Sequence, residues 1–475
     1  MSPRAAVRWG LQHGLARAVL RRAARAGDPQ AMLIMDRATR GNPYPLQDTL
    51  RGAGPVVRGR LTYLSASHSA CHDILRSADF RTGARATRMP PRLRPIIGWA
   101  QGPRVLHPVE PPSLLAVEDP EHARYRRLVS KVFTPRAVQS LRQRVQDTAD
   151  ALLDDLQRAG GGRPVDLVGA YCTQLPLIVI ADILGVTPEN RAQVLAFGAG
   201  AAPSLDLGLT WREFRHVETT LWSFDTWLGR HLQQLRRHPG TDLLSQLVVV
   251  EEDGERLTEA ELRAIAGLLL VAGFETTANL LSSGIDLLLR HPAQLAQLRS
   301  EPARWPNAVE EVLRVESPVQ ITARVAARDT EVHGVAVESG QVVAVMLAAA
   351  NRDPAVFADP HRFDVGRVNA REHLAFSAGR HFCLGAALAR IEGEVGLRSL
   401  AERFPDLALA PGARRQPTRV LRGWQQLPVT LGAPDEAARN YARRDVAAHR
   451  RGGRRPRRGD GELPADPGCG GHPSR

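Results

Sequence analysis

The sequence predicts a mainly α protein with small β-sheets. Apolar residues recur at helical spacing over much of the chain, whereas β-rich runs are short. The longest helical pattern, residues 258–290, begins with a capping box formed by Thr258 and Glu261. Other helical patterns cover 137–156, 170–184, 190–198 and 211–237, and we expect hairpins at 56–64 and 335–347 and closing strands within 419–432.

Composition sets limits on the class of protein. The 475 residues allow one large domain or a few smaller ones, and a hydrophobic content of 43% is ample for a core. The four cysteines are scattered, which favours a reducing cytoplasm over a disulfide framework. No stretch is expected to reach the length of a membrane span.

The net charge of +13 is concentrated at the two ends of the chain. Residues 1–40 carry +6 and residues 433–475 carry +4, which leaves +3 for the middle. Because Lys131 is the only lysine, the bias towards arginine is a property of the whole chain and gives little support for nucleic-acid binding. We expect no nucleic-acid partner.

The charge distribution suggests a domain with two extensions. Residues 4–26 are basic, acid-free and amphipathic, typical of a surface anchor or targeting helix, but we favour a poorly ordered N-terminal extension over 1–40. Residues 41–432 form the predicted globular domain. Residues 433–475 are a basic, low-complexity tail that we expect to be disordered. The Pro- and Arg-rich segment 81–118 is predicted to be a long functional loop.

The middle of the long predicted helix has an unusual composition. It reads AGFETT over residues 272–277. Gly273 costs about 1 kcal/mol in a helix interior, and Thr276 can bond back to a carbonyl and bend the helix. A buried helix with Gly273, Glu275 and Thr276 in one turn indicates either a functional site or a kink that only packs.

Two other charged pairs share a helix face. His122 and Arg126 are four residues apart, and Glu311 and Arg314 are three apart. The first pair by itself indicates no more than a solvated face. The second lies beside apolar residues, which implies partial burial, and a buried ion pair is costly to break from one side.

The most informative stretch is FSAGRHFCLG, residues 376–385. Cys383 lies between glycines in a cationic loop and directly before a helical pattern, so we expect its pKa to be lowered and the side chain to be a thiolate. A buried structural cysteine is the alternative. The cysteine spacing is unlike that of zinc sites, and the C-x-x-C-H motif of c-type haem attachment is absent.

This stretch resembles the haem-binding loop of the cytochromes P450, F-x-x-G-x-(R/H)-x-C-x-G. All its fixed positions match, at Phe376, Gly379, His381, Cys383 and Gly385. Bacterial members usually carry glycine after the phenylalanine, where this chain has Ser377, and we expect only a small change in loop flexibility. The 272–277 stretch resembles the family's A-G-x-(D/E)-T, and Glu311 with Arg314 matches its E-x-x-R.

The resemblance implies a prism-shaped, mainly α domain with haem b between the long helix and the cysteine loop. Cys383 would be the axial iron ligand. The propionates would be held by His122, Arg126 and Arg324. Ala272 and Gly273 would leave room for dioxygen, and Glu275 with Thr276 would deliver protons. A structural brace behind the cysteine loop would comprise Glu311, Arg314 and Arg362.

The implied function is that of a cytoplasmic bacterial haem-thiolate monooxygenase, monomeric and without a membrane span. It would insert one oxygen atom of O2 into a small apolar substrate, with electrons from a separate ferredoxin and its reductase. A peroxygenase is one alternative, and a haem protein that only binds or senses a gas or small ligand is another. Terpene, steroid, polyketide and fatty-acid substrates all remain open.

Overall fold

Helices account for most of the fold. The computed structural model describes residues 3–82, 99–100, 107–159, 163–249, 251–252 and 255–432. The helices are α1 Pro3–Trp9, α2 Leu15–Arg25, α3 Pro29–Met35, α4 Arg37–Gly41, α5 Tyr44–Gly52, α6 His68–Arg76, α7 Glu121–Val132, α8 Pro135–Ser140, α9 Arg142–Ala159, α10 Gln174–Ile183, α11 Pro188–Ala201, α12 Trp211–Arg237, α13 Leu243–Val249, α14 Glu259–Arg290, α15 Pro292–Ser300, α16 Trp305–Val315, α17 Leu347–Ala350 and α18 Ala386–Arg403. Short π-helices at Gly10–Gly14 and Val168–Cys172, and 3-10 turns at Ala202–Leu205, Pro302–Arg304, Ala370–Glu372 and Gly379–His381, complete them.

The strands are short and form small sheets. They are β1 Val57–Arg58, β2 Tyr63–Ser65, β3 Phe80–Arg81, β4 Val165–Asp166, β5 Glu251–Glu252, β6 Glu255–Arg256, β7 Thr322–Ala326, β8 Thr330–Val332, β9 Val335–Val337, β10 Val342–Val345, β11 Ala408–Leu409, β12 Arg414–Arg415, β13 Trp424–Gln426 and β14 Pro428–Thr430. The largest sheet has the order β1-β2-β10-β7-β3, and β11-β14-β4 form a second. The mainly α class with small sheets is confirmed.

Helix α14 runs through the core. Its N-terminus has the predicted capping box, in which Thr258 accepts from the Glu261 backbone and Glu261 accepts from that of Thr258. Most of its side chains are buried, and it packs against α10, α11, α12 and α18. By length and composition alone, α14 could cross a membrane. Two helices within residues 168–205, bent sharply at the break between them, could also cross one if they form a single span. The prediction that no stretch reaches the length of a membrane span was therefore wrong. Most of the apolar stretch of α14 is buried, as in a core helix.

One predicted hairpin is wrong. The segments on either side of Ser339 and Gly340 are strands, but they do not pair with each other. β9 pairs with β8, whereas β10 lies between β2 and β7 in the large sheet. A β-rich run predicts a strand but does not identify the strand that pairs with it, because pairing depends on side-chain packing against residues that are distant in the sequence. The predicted β1–β2 hairpin is present.

The N-terminal segment differs from the loose extension that we expected. Residues 3–41 are largely helical and contact the domain. The Trp9 indole N–H donates to the Leu209 carbonyl at 3.1 Å, and Arg17 donates to the carbonyl of Gly208 at 2.8 Å. These contacts hold α1 and α2 against the segment that joins α11 to α12. The predicted tail at 433–475 and most of the predicted loop at 81–118 lie outside the described residues.

Candidate functional site

The cysteine loop is held by its own backbone. The Cys383 N–H donates to the Phe376 carbonyl at 3.0 Å and closes the loop around the 3-10 turn Gly379–His381. Gly385 is the N-cap of α18, so Cys383 lies just before the helix N-terminus, as predicted. Its side chain is solvent-accessible, whereas those of Cys71 and Cys172 are buried. Among the described cysteines, Cys383 is the one that an outside ligand can reach.

Two residues of this loop adopt left-handed backbone conformations. Gly379 has φ +67°, and a Cβ there would lie 2.7 Å from the Leu75 carbonyl oxygen, so only glycine fits. Ser377 has φ +62°, which is costly for a residue with a side chain, and its buried hydroxyl has no hydrogen-bond partner among the described residues. The serine therefore adds strain where the family usually has glycine, which our expectation of slightly altered flexibility missed.

We expect Ser377→Gly to stabilise the protein by about 1 kcal/mol. Glycine would remove the left-handed strain, roughly 1–2 kcal/mol, at the cost of added freedom in the unfolded chain. The measurement is the free energy of unfolding by urea titration. The matched control is Ala378→Gly, because Ala378 has φ −146° and gains nothing from glycine. Equal effects of the two substitutions would show that Ser377 is not strained.

The expected pKa of Cys383 is not borne out for the protein alone. Surrounding protein atoms raise the pKa of the thiol by desolvation, even though the side chain is accessible. The backbone N–H groups of Gly385 and Ala386 and the charges of Arg126 and Arg390 act in the opposite direction. The helix terminus and the arginines thus favour the thiolate, but they do not outweigh desolvation.

One buried and one half-buried arginine lie near this loop. Arg324 is buried on β7, where its guanidinium donates to the Thr322 hydroxyl at 3.3 Å and the Ala323 carbonyl at 2.9 Å. Burial lowers its pKa to about 10. Arg126 is half-buried, and the Cys383 sulfur is near enough to act on its pKa. Neither arginine forms an ion pair with a carboxylate of the described residues. Burying such charges is costly unless an anion compensates them.

Two histidines adjoin these cations. The rings of His122 and His381 lie 4.2 Å apart. Burial, aided by the charge of His381, lowers the pKa of His122 to about 4, so His122 is neutral at pH 7 in the protein alone. The buried Nε2 of His381 has no hydrogen-bond partner in the described part of the chain and lies 3.6 Å from Glu118. An orphaned donor beside unpaired guanidinium groups fits a ligand with carboxylates, such as the two propionates of haem.

Glu118 is a member of this cluster that the sequence did not reveal. It lies 3.0 Å from Arg380 and also accepts from the backbone of Thr82. Burial raises the pKa of Glu118, but the nearby His381 ring and the contacts with Thr82 outweigh this effect, and the pKa falls to about 2. The carboxylate is therefore charged at neutral pH. Nothing in the sequence around Glu118 pointed to it, because its partners come from distant segments.

The unusual turn of α14 presents two different faces. Ala272 is exposed although it lies in the middle of a buried helix, and Thr276 is one turn further on. The Thr276 hydroxyl donates to the Ala272 carbonyl at 2.9 Å, as predicted. Gly273 faces elsewhere, because a Cβ there would lie 3.1 Å from Ile180 of α10. The missing side chain of Gly273 thus allows α14 and α10 to pack closely.

Glu275 has a partner that the sequence did not predict. Its Oε1 accepts a hydrogen bond from the Gln416 amide at 3.1 Å. Burial raises the pKa of Glu275, and the Gln416 hydrogen bond opposes this. Gln416 directly follows β12 and is 141 residues away from Glu275 in the sequence, so only the fold brings the two together. A carboxyl group with a raised pKa is suited to exchanging protons near neutral pH.

The predicted brace has a different third member. Arg314 donates two hydrogen bonds to Glu311, at 2.7 and 2.8 Å, and both side chains are fully buried. Arg367, rather than Arg362, completes the group, because its Nε lies 3.1 Å from Glu311 Oε1. The side chain of Arg362 is exposed, and this residue contributes only its backbone carbonyl, which accepts from Arg314 and Arg367. The assignment of Arg362 was wrong.

Comparisons with known proteins agree with this geometry. A family model for cytochrome P450 matches residues 202–419. Cytochrome P450 140 of Mycobacterium tuberculosis is 56% identical over 427 residues, 89% of this chain and 97% of that protein. Cytochrome P450 monooxygenase PikC of Streptomyces venezuelae is 37% identical over 408 residues, 84% and 93% of the two chains. The crystal structure of P450BioI in complex with a hexadec-9Z-enoic acid ligated acyl carrier protein matches with a TM-score of 0.75 at 33% identity, covering 83% and 99%.

The chain belongs to the cytochrome P450 family. The high identity and near-complete coverage of the mycobacterial relative, together with the matching helical fold, confirm the resemblance noted in the cysteine loop. More particularly, it is a P450 monooxygenase of bacterial type. Membership implies an iron-bearing haem with a thiolate ligand, redox partners and a small substrate.

Proposed function

We propose that this P450 binds haem b through Cys383 and inserts one oxygen atom of O2 into a small apolar substrate, with electrons from a ferredoxin and its reductase. The observation that supports oxygen chemistry best is the pair Glu275 and Thr276 on α14, beside the exposed Ala272. A gas sensor has no need of a proton-delivering pair, and neither has a peroxygenase. When bound, the haem supplies the activation of dioxygen, favoured by electron donation from the cysteinate.

The residues that would hold the cofactor come from separate parts of the chain. Cys383 would ligate the iron, and the N–H groups of Gly385 and Ala386 point towards its sulfur. Arg126 and Arg324 would bind the propionates, because an arginine fork makes charge-assisted hydrogen bonds to carboxylates. His381 would donate from Nε2, which makes no hydrogen bond within the described residues, and His122 would donate as a neutral imidazole.

Proton delivery would use three side chains. Glu275 takes protons from solvent, since burial raises its pKa towards neutrality. Gln416 fixes the carboxyl group by donating to one of its oxygens. The Thr276 hydroxyl, anchored on the Ala272 carbonyl, holds the proton on the open face of α14.

We infer the ferredoxin donor from membership of the P450 family and not from a basic docking surface. Arg380 precedes Cys383 by three residues and Arg390 and Arg398 lie on α18, so these arginines are candidate docking residues for an acidic ferredoxin. Each has a carboxylate partner within the chain: Arg380 contacts Glu118 at 3.0 Å, and Arg390 and Arg398 contact Glu310 and Glu402 at 2.7 Å. Because these charges are locally balanced, we expect them to add little to charge steering.

The substrate is proposed to be a small apolar molecule, free or carried. P450BioI is crystallised with an acyl carrier protein that bears hexadec-9Z-enoic acid, so a carrier-bound chain is one form that a related fold accepts. The relationship to PikC favours a role in secondary metabolism. Screening a compound library for shifts of the haem spectrum would identify a substrate for the test below.

We expect Thr276→Ala to uncouple electron consumption from product formation. Loss of the hydroxyl removes proton delivery on the open face of α14, and positioned proton transfer is worth roughly 10²–10⁴-fold. Product per electron pair should fall about tenfold or more, and hydrogen peroxide should rise to match. The measurement is product, peroxide and reductant consumption in the reconstituted system.

The matched control for this test is Thr277→Ala. Thr277 also bonds back to a carbonyl, that of Gly273 at 3.2 Å, but its side chain is buried. Thr277→Ala should leave the coupling of electron consumption to product formation unchanged. Equal coupling in wild type and Thr276→Ala would rule out the relay. Failure of the wild-type protein to turn over any substrate that shifts its spectrum would favour the non-catalytic alternative.

A further inference from the structure

The N-terminal helices α1 and α2 form part of an apolar and basic surface. On α2, Leu15 and Val19 are one turn apart and are 62% and 43% exposed. The inward residues Leu20 and Ala23 of the same helix are buried. Leu15 and Val19 therefore form an exposed stripe along α2, and this stripe ends one turn further on at the buried Ala23. Large exposed side chains of this kind mark interaction surfaces when they cluster.

Other exposed apolar side chains adjoin the same two helices. Leu207 is 45% exposed and precedes Gly208, whose Cα hydrogen faces Arg17 and Leu20 of α2. Trp99 is 49% exposed and lies under the guanidinium of Arg4 of α1, 5.5 Å from the ring centre. Half of the large hydrophobic side chains that are exposed in the described residues belong to this surface, which comprises Leu15, Val19, Trp99, Leu207 and Trp222.

Trp222 joins this surface through α1. Arg8 of α1 forms an ion pair with Glu218 of α12, and its guanidinium also donates to the Ala100 carbonyl at 2.9 Å. Trp222 is one turn beyond Glu218 on the same face of α12 and is 58% exposed. Arg8 therefore connects the neighbours of both tryptophans, Ala100 beside Trp99 and Glu218 one turn before Trp222.

The surface is strongly basic. Residues 3–27 contain six arginines and no acidic residue. Arg21, Arg22 and Arg25 are exposed and form no ion pair with any residue that the structure describes. Arginines that alternate with exposed leucine and valine on an acid-free helix are typical of helices that lie on an anionic lipid surface. Tryptophan favours the interface between headgroups and acyl chains, and long arginine side chains reach the phosphates.

We propose that the surface formed by α1, α2, Leu207, Trp99 and Trp222 docks this P450 on an anionic phospholipid membrane without spanning it. The leucine, valine and tryptophan side chains insert at the level of the headgroups. Arg21, Arg22 and Arg25 contact lipid phosphates. An acidic protein would be attracted by the arginines too, but a stripe of exposed apolar side chains along a single helix fits a lipid surface better than a shaped protein pocket.

The test is sedimentation of the full-length, haem-loaded protein with lipid vesicles. We expect at least fivefold more protein bound to vesicles of phosphatidylcholine mixed with phosphatidylglycerol than to phosphatidylcholine alone. Added salt should release it, because screening shortens to about 10 Å at 0.1 M. Leu15→Gln with Val19→Gln, and separately Arg21→Gln with Arg25→Gln, should each reduce binding at least fivefold.

Matched controls exist elsewhere on the chain. Val249→Gln with Val368→Gln removes two other exposed valines, and Arg230→Gln with Arg237→Gln removes the same charge from α12. Both should bind vesicles like wild type. Equal losses in control and test pairs, or full binding by the Leu15 and Val19 variant, would overturn the proposal. Salt-sensitive binding of an acidic ferredoxin that needs Arg21 and Arg25, without vesicle binding, would assign the surface to a protein partner instead.

Discussion

The Cys383→Ser variant is expected to lose the red-shifted Soret band of the reduced carbon-monoxide complex. That band requires a thiolate ligand, and a serine hydroxyl donates far less electron density to iron. Cys383 is the accessible thiol among the described cysteines, at the N-terminus of α18 and near Arg126. The measurement is the reduced carbon-monoxide difference spectrum of purified protein, with haem content determined in parallel.

The control for this substitution is Cys71→Ala. Cys71 is buried, lies 3.3 Å from the Ser65 carbonyl, and has its pKa raised to about 12 by burial, so it stays a neutral thiol. We expect its spectrum to match wild type. Persistence of the red-shifted band in Cys383→Ser would show that another residue ligates the iron, and the central assignment would be wrong.

Glu311→Ala is expected to destabilise the fold by about 3–5 kcal/mol, because it leaves buried arginines without their carboxylate. Glu311 accepts hydrogen bonds from Arg314 and from the Asp364 N–H, and it forms an ion pair with Arg367. These contacts tie α16 to the segment that leads into the cysteine loop. We therefore expect lower haem retention as well. The measurements are the free energy of unfolding by urea and the haem content after gel filtration.

Arg362 and Arg367 supply the discriminating pair of variants for the brace. Arg367→Gln should lower stability clearly, since the Arg367 guanidinium contacts Glu311 and donates to the Ala358 carbonyl at 2.7 Å. Arg362→Gln should change it by no more than about 0.5 kcal/mol, because that side chain is exposed and its carbonyl remains. The opposite ranking would restore Arg362 to the brace.

The sequence predicted the structure correctly where that structure depends on residues close together in the chain. The α14 capping box was predicted because Thr258 and Glu261 satisfy each other's backbone within one turn. The position of Cys383 before α18 was predicted because the loop is closed by hydrogen bonds between residues of one short stretch. The pairing of Glu311 with Arg314 followed from helical spacing alone.

Predictions failed where partners are distant in sequence. The third member of the brace was misassigned because Arg362 and Arg367 lie in the same short segment. Only the path of that segment past Glu311 decides which of the two side chains is buried. The strand β10 was predicted, but its partners β2 and β7 were not. The N-terminal helices were expected to be loose because nothing in residues 1–40 shows the surface at 207–211 that they contact.

The sequence by itself determined the family and the mainly α class, and it singled out Cys383 as the proposed iron ligand and Glu275 with Thr276 as the proposed proton-delivering pair. Each is encoded in residues close together along the chain, whose spacing fixes their relation whatever the rest of the fold does. Only the tertiary structure decided that Arg367 completes the brace, that Gln416 holds Glu275 and that Gly273 packs on Ile180. It also decided that Arg324 is buried with no acidic partner in the described part of the chain. Such contacts and burial depend on which distant segments the packing brings together, and no local pattern specifies that.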